Sequence, residues 1–209
     1  MRKLKILKKH MEFNAELYNN AFCENVDSKC ALVARDEQRL AETKEKFIEA
    51  VGRKTGAHIV RIDMAQMAAE GKTPKQAVIE ALHALAKREG ISLVEANGDA
   101  KDIDTVCRDL CTERIGNTVP TPLVCIDHFQ CCTKTVSLQN RAPYVFLRTL
   151  KCRLLLSANM DIVDIDSFFV PPGEESILSP QCETLSIEGD VPYGVHQIDE
   201  ACAVVMGKK

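Results

Sequence analysis

Four short apolar runs constrain what this chain can fold into. Residues 30–35 (CALVAR), 57–63 (AHIVRID), 122–127 (PLVCID) and 153–159 (RLLLSAN) are nearly continuous apolar stretches of strand length. Segments with apolar residues at three- and four-residue spacing lie between them, the signature of helices with one buried face. A strand that is apolar along its whole length is buried on both sides, which happens when helices cover both faces of a parallel sheet. The pattern therefore predicts an α/β fold: three layers, a mostly parallel sheet, helices on both faces.

Local signals place the helices. Met11 to Phe22 reads as a helix leading into the domain. Asp36 is a good cap for a helix reaching about Gly52, with Leu40, Phe47, Ile48 and Val51 on one face and Gly52 and Gly56 ending it. Thr73 followed by Pro74 opens the clearest helix, with Ala77, Val78, Ala81, Leu82 and Leu85 inward and Gly90 as its stop. Residues 91–95 read as a short extra strand. A helix starting from Asp99 or Asp102 is expected to run through Val106, Leu110 and Ile115, and residues 142–150 read as helical. Beyond Asp166, prolines and glycines break the pattern. The expected organisation is a basic N-terminal extension with its helix (1–28), an α/β domain (29–169), and an irregular C-terminal tail (170–209) that wraps over the domain or a partner.

Composition narrows the function classes. A formal net charge of −3 and the absence of Trp argue against a generally basic, base-stacking nucleic-acid binder. The N-terminal run Arg2, Lys3, Lys5, Lys8 and Lys9 is the local exception, a place for an acidic partner or nucleic acid to touch. No stretch reaches the roughly 18 apolar residues of a membrane span, and Lys5, Lys8 and Lys9 interrupt any secretory apolar region. The ten cysteines then read as free thiols in a reducing compartment, the cytoplasm or an organelle. Cys125, His128, Cys131 and Cys132 are metal-ligand types, but no second pair stands at zinc-finger spacing.

In parallel sheets, ligands bind beyond the carboxyl ends of the strands. The residues to watch are Arg35, Asp36, Asp63, Asp127, His128 and Asn159. Asp127 ends the run LVCID, where a carboxylate can hold Mg²⁺ through water. Asn159 ends RLLLSAN, where an amide can orient a water or sense a phosphate. Here the chain resembles the ASCE branch of P-loop ATPases, the AAA+ and origin-recognition group in particular. Residues 123–127 look like its Walker B strand and residues 153–159 like its sensor 1 strand; the resemblance covers residues 30–169. It implies a P-loop NTPase-like fold, with Asp127 as metal ligand and Asn159 as sensor if the site is active.

Two departures qualify that resemblance. The first strand runs into Arg35-Asp36-Glu37-Gln38, where the family has a glycine-rich loop and a Lys that cradle phosphate. His128 follows Asp127 where the family usually has a second acid. Both point to a pseudo-ATPase: a scaffold or assembly subunit of a larger complex, such as a DNA-replication assembly, working through protein–protein contacts with no cofactor. The alternative is an active P-loop ATPase or kinase binding ATP and Mg²⁺. For it, Gln66-Met-Ala-Ala-Glu-Gly71-Lys72-Thr73 supplies the second half of a P-loop, with Gly71, Lys72 and Thr73 on the phosphates and Asp127 on the metal. Against this, Pro74 removes an amide, Glu70 adds negative charge, and Thr73 also suits a helix cap. Gly52-Arg53-Lys54-Thr55 lies at a helix end whose dipole repels anions. A further alternative is a thioredoxin-like or thiol protein, from Val119-Pro-Thr-Pro and from Cys131 and Cys132 near His128, though no C-x-x-C occurs. His58 and His83 read as structural.

Overall fold

The computed structural model describes residues 22–25, 27–114, 117–119, 122–131, 146–147, 149–159, 182–186 and 195–197. Strand β1 (Lys29–Ala34) is followed by α1 (Glu37–Thr55), β2 (Ile59–Asp63), the short α2 (Met64–Ala69), α3 (Pro74–Arg88) and α4 (Ile103–Asp109). Next come β3 (Thr112–Arg114), β4 (Asn117–Val119), β5 (Leu123–Asp127), β6 (Arg153–Asn159), β7 (Cys182–Ser186) and β8 (Val195–Gln197). Six strands form one sheet in the order β2-β5-β6-β1-β7-β8, with every pairing parallel. β3 and β4 make a separate antiparallel pair.

The strand alternation divides the core in two. Cys30, Leu32 and Ala34 of β1 join Leu123, Cys125 and Leu155 against Leu40, Phe47, Ile48 and Val51 of α1. Ala31 and Val33 turn the other way, with Val124, Ile126, Leu154 and Leu156, against α3 and α4 through Val78, Leu82, Leu85, Val106 and Leu110. Successive strand side chains point to opposite faces, so a run apolar at every position feeds both layers. The fold is thus the expected three-layer α/β arrangement, with a parallel sheet covered on both faces. The two strands likened to Walker B and sensor 1 lie side by side, with β1 next to the latter.

The caps explain where the helices begin and end. Asp36 accepts the amide of Arg39 at the start of α1, and Gly56 closes it in the left-handed region (φ 67°), donating its N–H to the Gly52 carbonyl. Gly52 lies inside the helix and not at its end, because its carbonyl still accepts the amide four residues on, that of Gly56. Thr73 and Gln76 form a reciprocal capping box for α3.

Other boundaries depart from expectation. Residues 91–95 form no strand; a single bridge joins Val94 to Ala100. The helix capped by Asp102 stops at Asp109, and the chain turns into β3 before Ile115, which lies outside the described residues. β7 and β8 fall in the segment expected to be an irregular tail, yet β7 lies directly beside β1. Residues 182–186 (CETLS) mix polar and apolar positions, so they lack the continuous apolar run that marked the other strands. The 11–22 helix, apart from helical Phe22, lies outside the described residues, as does most of 142–150, where 146, 147 and 149 are helical.

At the amino ends of the strands, two buried cations tie the chain together. Arg153, fully buried, donates Nε to the Phe22 carbonyl at 3.1 Å and an Nη to the Cys23 carbonyl. Lys29 donates to the Asp27 and Leu150 carbonyls at 2.8 and 3.1 Å.

Candidate functional site

The carboxyl ends of β2, β5 and β6 build a polar row on the face covered by α1. Asp63 and Asp127 are register partners, so their side chains leave the sheet on the same face. Ser157, on the adjacent β6, donates its hydroxyl to Asp127 Oδ1 at 2.8 Å. The other oxygen, Oδ2, accepts from the Lys44 ammonium at 2.8 Å, with the two side chains only 14% and 18% exposed. Lys44 comes from the middle of α1. Its neighbour Glu45 holds Arg61, two residues before Asp63 on the same face, through two bonds of 2.7 Å. Consecutive α1 residues of opposite charge thus match opposite charges on two neighbouring strands.

His128 leaves β5 in the left-handed region, φ 53°. That conformation is sparsely populated for a non-glycine residue and persists where surroundings fix it. Two contacts do so here: Phe129 is buried directly after it, and His128 Nδ1 meets Asp63 Oδ1 at 2.9 Å. The Nε2 side faces Glu37 of α1 at 3.9 Å. Burial alone would raise the Asp63 pKa, but the bonds from His128 and from the Ala65 amide outweigh it and hold the carboxyl below its usual range. Asn159 closes the row towards β1, donating Nδ2 to the Arg35 carbonyl at 2.9 Å, while its own amide donates to Gln130 Oε1 at 3.3 Å.

This row offers little to a nucleotide. Exposed helix N-termini bind phosphate through unsatisfied amides. At α1 that position carries the Asp36 carboxylate, 3.0 Å from the Arg39 amide, with Glu37 in the first turn. Nor do the residues present fit a Mg²⁺ ion at Asp127, since both carboxylate oxygens already have donors from Ser157 and Lys44. Among the described residues no group of three or more His, Cys, Asp or Glu is placed to hold a metal. Cys132 lies outside the described residues.

The Gln66–Thr73 fragment follows the edge strand β2, three strands away from β1. Its backbone donors are spent inside the chain. The amides of Glu70, Gly71 and Lys72 donate to the carbonyls of Gln66, Ala68 and Met67 at 3.1, 3.0 and 2.9 Å. That of Thr73 donates to Gln76 Oε1 at 2.9 Å. Gly71 takes φ 74° to make this turn. Lys72 pairs with Glu80 at 2.7 Å and Glu70 at 3.2 Å. A phosphate cradle needs free amides and a free ammonium; this turn has neither, and the Thr73 hydroxyl serves the helix cap.

The thiols follow the same logic of enclosure. Burial pushes the Cys125 thiol up to about 12, and burial likewise raises Cys23 and Cys152. Cys23, Cys30, Cys107, Cys111, Cys125, Cys131 and Cys152 are in no disulfide. Val119, part of the proline segment likened to thioredoxin, lies in β4, outside the parallel sheet.

Sequence reasoning reached Asp63, Asp127, His128 and Asn159, and the structure brings them to one pole of the sheet. It missed Lys44, Glu45 and Ser157. Ser157 was within reach of sequence reasoning, because it stands two residues before Asn159 on the same strand face.

Comparison with known proteins gives one similarity. The Walker-type ATPase PABY2304 of Pyrococcus abyssi aligns with 95% of this chain at 16% identity and a TM-score of 0.46. The chain spans 57% of that protein's length. No protein-family model and no curated protein matches the sequence.

Proposed function

We propose that this chain is a catalytically inactive, P-loop NTPase-like scaffold that works by holding a protein partner within a larger assembly. The observation that carries the reading is the occupied N-terminus of α1. Where a phosphate would need bare amides, the chain supplies its own carboxylate, Asp36, followed by Glu37. Phosphoryl transfer is catalysed by positioning and charge neutralisation, and an acidic loop does neither for a triphosphate. The turn at Glu70 to Thr73 does not replace it, since its four amides are engaged. A fold that keeps its sheet and closes its own ligand pole has its surface left to work with. The basic N-terminal run adds a site for an acidic partner, nucleic acid of a DNA-processing complex included. Thiols without disulfides among Cys23, Cys30, Cys107, Cys111, Cys125, Cys131 and Cys152 suit a reducing compartment.

The test is calorimetric titration of the full chain with ATP and Mg²⁺, beside Lys72→Ala and Asp127→Ala. No saturable binding and no phosphate release are expected from any of the three. Micromolar binding that disappears in Lys72→Ala would make residues 66–73 a working phosphate loop and end the scaffold reading.

A further inference from the structure

We propose that the Lys44 ammonium is a built-in substitute for a divalent cation at Asp127, so that the pole of this sheet is held together independently of metal. The proposal rests on the scaffold reading and deepens it. A carboxylate that is 18% exposed needs a cationic or hydrogen-bonded partner to offset its desolvation. Asp127 has both: the Ser157 hydroxyl on one oxygen and the Lys44 ammonium on the other, each at 2.8 Å. Oxygen ligands of this kind, a carboxylate backed by a hydroxyl, are what a hard cation such as Mg²⁺ or Mn²⁺ takes. A second carboxylate, Asp63, stands one strand over in register. The ammonium that bonds Asp127 comes from a helix facing it across 83 residues of sequence.

Lys44 reaches Asp127 from the middle of α1, the helix that follows β1 directly. It therefore fixes the distance between that helix and the ends of β5 and β6. A metal arriving from solution would set this distance only when bound. A lysine sets it permanently, and the pole has one state in place of two. For a scaffold, that means a partner meets the same surface whether or not divalent cations or nucleotide are present.

The probe is Mn²⁺ alone, added to the full-length chain. The readouts are paramagnetic broadening of the Ile126, Asp127 and Ser157 amides and the Mn²⁺ dependence of the melting temperature. Four proteins are compared: wild type, Lys44→Met, Lys44→Gln and the double variant Lys44→Met with Asp127→Asn. Lys44→Gln removes the charge while keeping a donor, and so guards against loss of folding in Lys44→Met. Expected are no saturable broadening in wild type, Mn²⁺ affinity raised at least about tenfold in the single variants, and loss of that gain in the double variant. A Lys44→Met protein that melts higher with Mn²⁺ than with chelator, while wild type is indifferent, also supports the proposal. Equal Mn²⁺ affinity in wild type and Lys44→Gln overturns it, as does a gain that survives Asp127→Asn. The scaffold reading fails on a different readout, MgATP binding by the wild-type chain.

Discussion

Arg61 on the edge strand grips Glu45 of α1 with both arms of its guanidinium, each bond 2.7 Å long. The hydrogen bond from Arg61 is the main reason the Glu45 carboxyl sits below its usual 4.5. A carboxyl depressed on folding contributes stability that is fully present above its unfolded pKa. That stability is lost as pH falls through the lower, folded value. Both side chains are about half exposed, so solvent screening keeps the pair below about 1 kcal/mol. Glu45→Gln is expected to lower stability by that small amount at pH 7. The gap should close as acid protonates the wild-type carboxyl, measured by urea unfolding from pH 7 down to pH 3.

Removing the cap of α1 tests the same helix from its other end. Asp36→Ala should cost about 1 kcal/mol, and Asp36→Ser much less, because serine can still accept the Arg39 amide. Urea midpoints of the three proteins decide it. Equal midpoints would mean that the cap seen at Asp36 has no energetic weight.

Arg153 is a buried structural anchor. Its burial is complete, and its guanidinium satisfies two carbonyls from the segment before β1. Arg153→Met keeps the bulk and leaves both carbonyls bare, an expected loss of about 2–4 kcal/mol. Arg153→Lys should recover only part, since one ammonium cannot reproduce the forked geometry. The unfolding free energies of the two variants give the ratio.

Thiol chemistry should divide the cysteines by enclosure. With its pKa at about 12, Cys125 is about one part in ten thousand thiolate at pH 8. Labelling at that pH, followed by mass mapping, should modify half-buried Cys111 and Cys131 first. Cys30, Cys107, Cys125 and Cys152 should react only in denaturant, with no bridge among these six. Rapid labelling of Cys125 in the folded protein would show that β5 opens to solvent.

The layers of this fold were legible because four of its strands, β1, β2, β5 and β6, carry nearly continuous apolar runs and its helices carry ordinary caps. Asp36, Thr73 and Asp102 announce their helices one residue ahead. The strand ends were legible too, since parallel sheets gather them at one pole. What could not be read was which charges meet there. Lys44 looks like any surface lysine of an amphipathic helix; only the sheet brings Asp127 to it, from 83 residues away. The same holds for β7, whose residues Cys182 to Ser186 read as tail because their strand character comes from their partner β1 and not from their own pattern.

The position of β1 has a consequence for how the molecule is made. β1 is made before both of the strands that flank it, β6 on one side and β7 on the other. Lys29 pairs with Leu154 and with Cys182, partners on the order of a hundred residues later in synthesis, and contacts of that span slow folding. Until they emerge, an apolar strand with two open edges waits without neighbours, the condition in which chains associate wrongly. A truncation before Cys182 leaves one edge of β1 uncovered, and such a chain should aggregate more readily than the longer one.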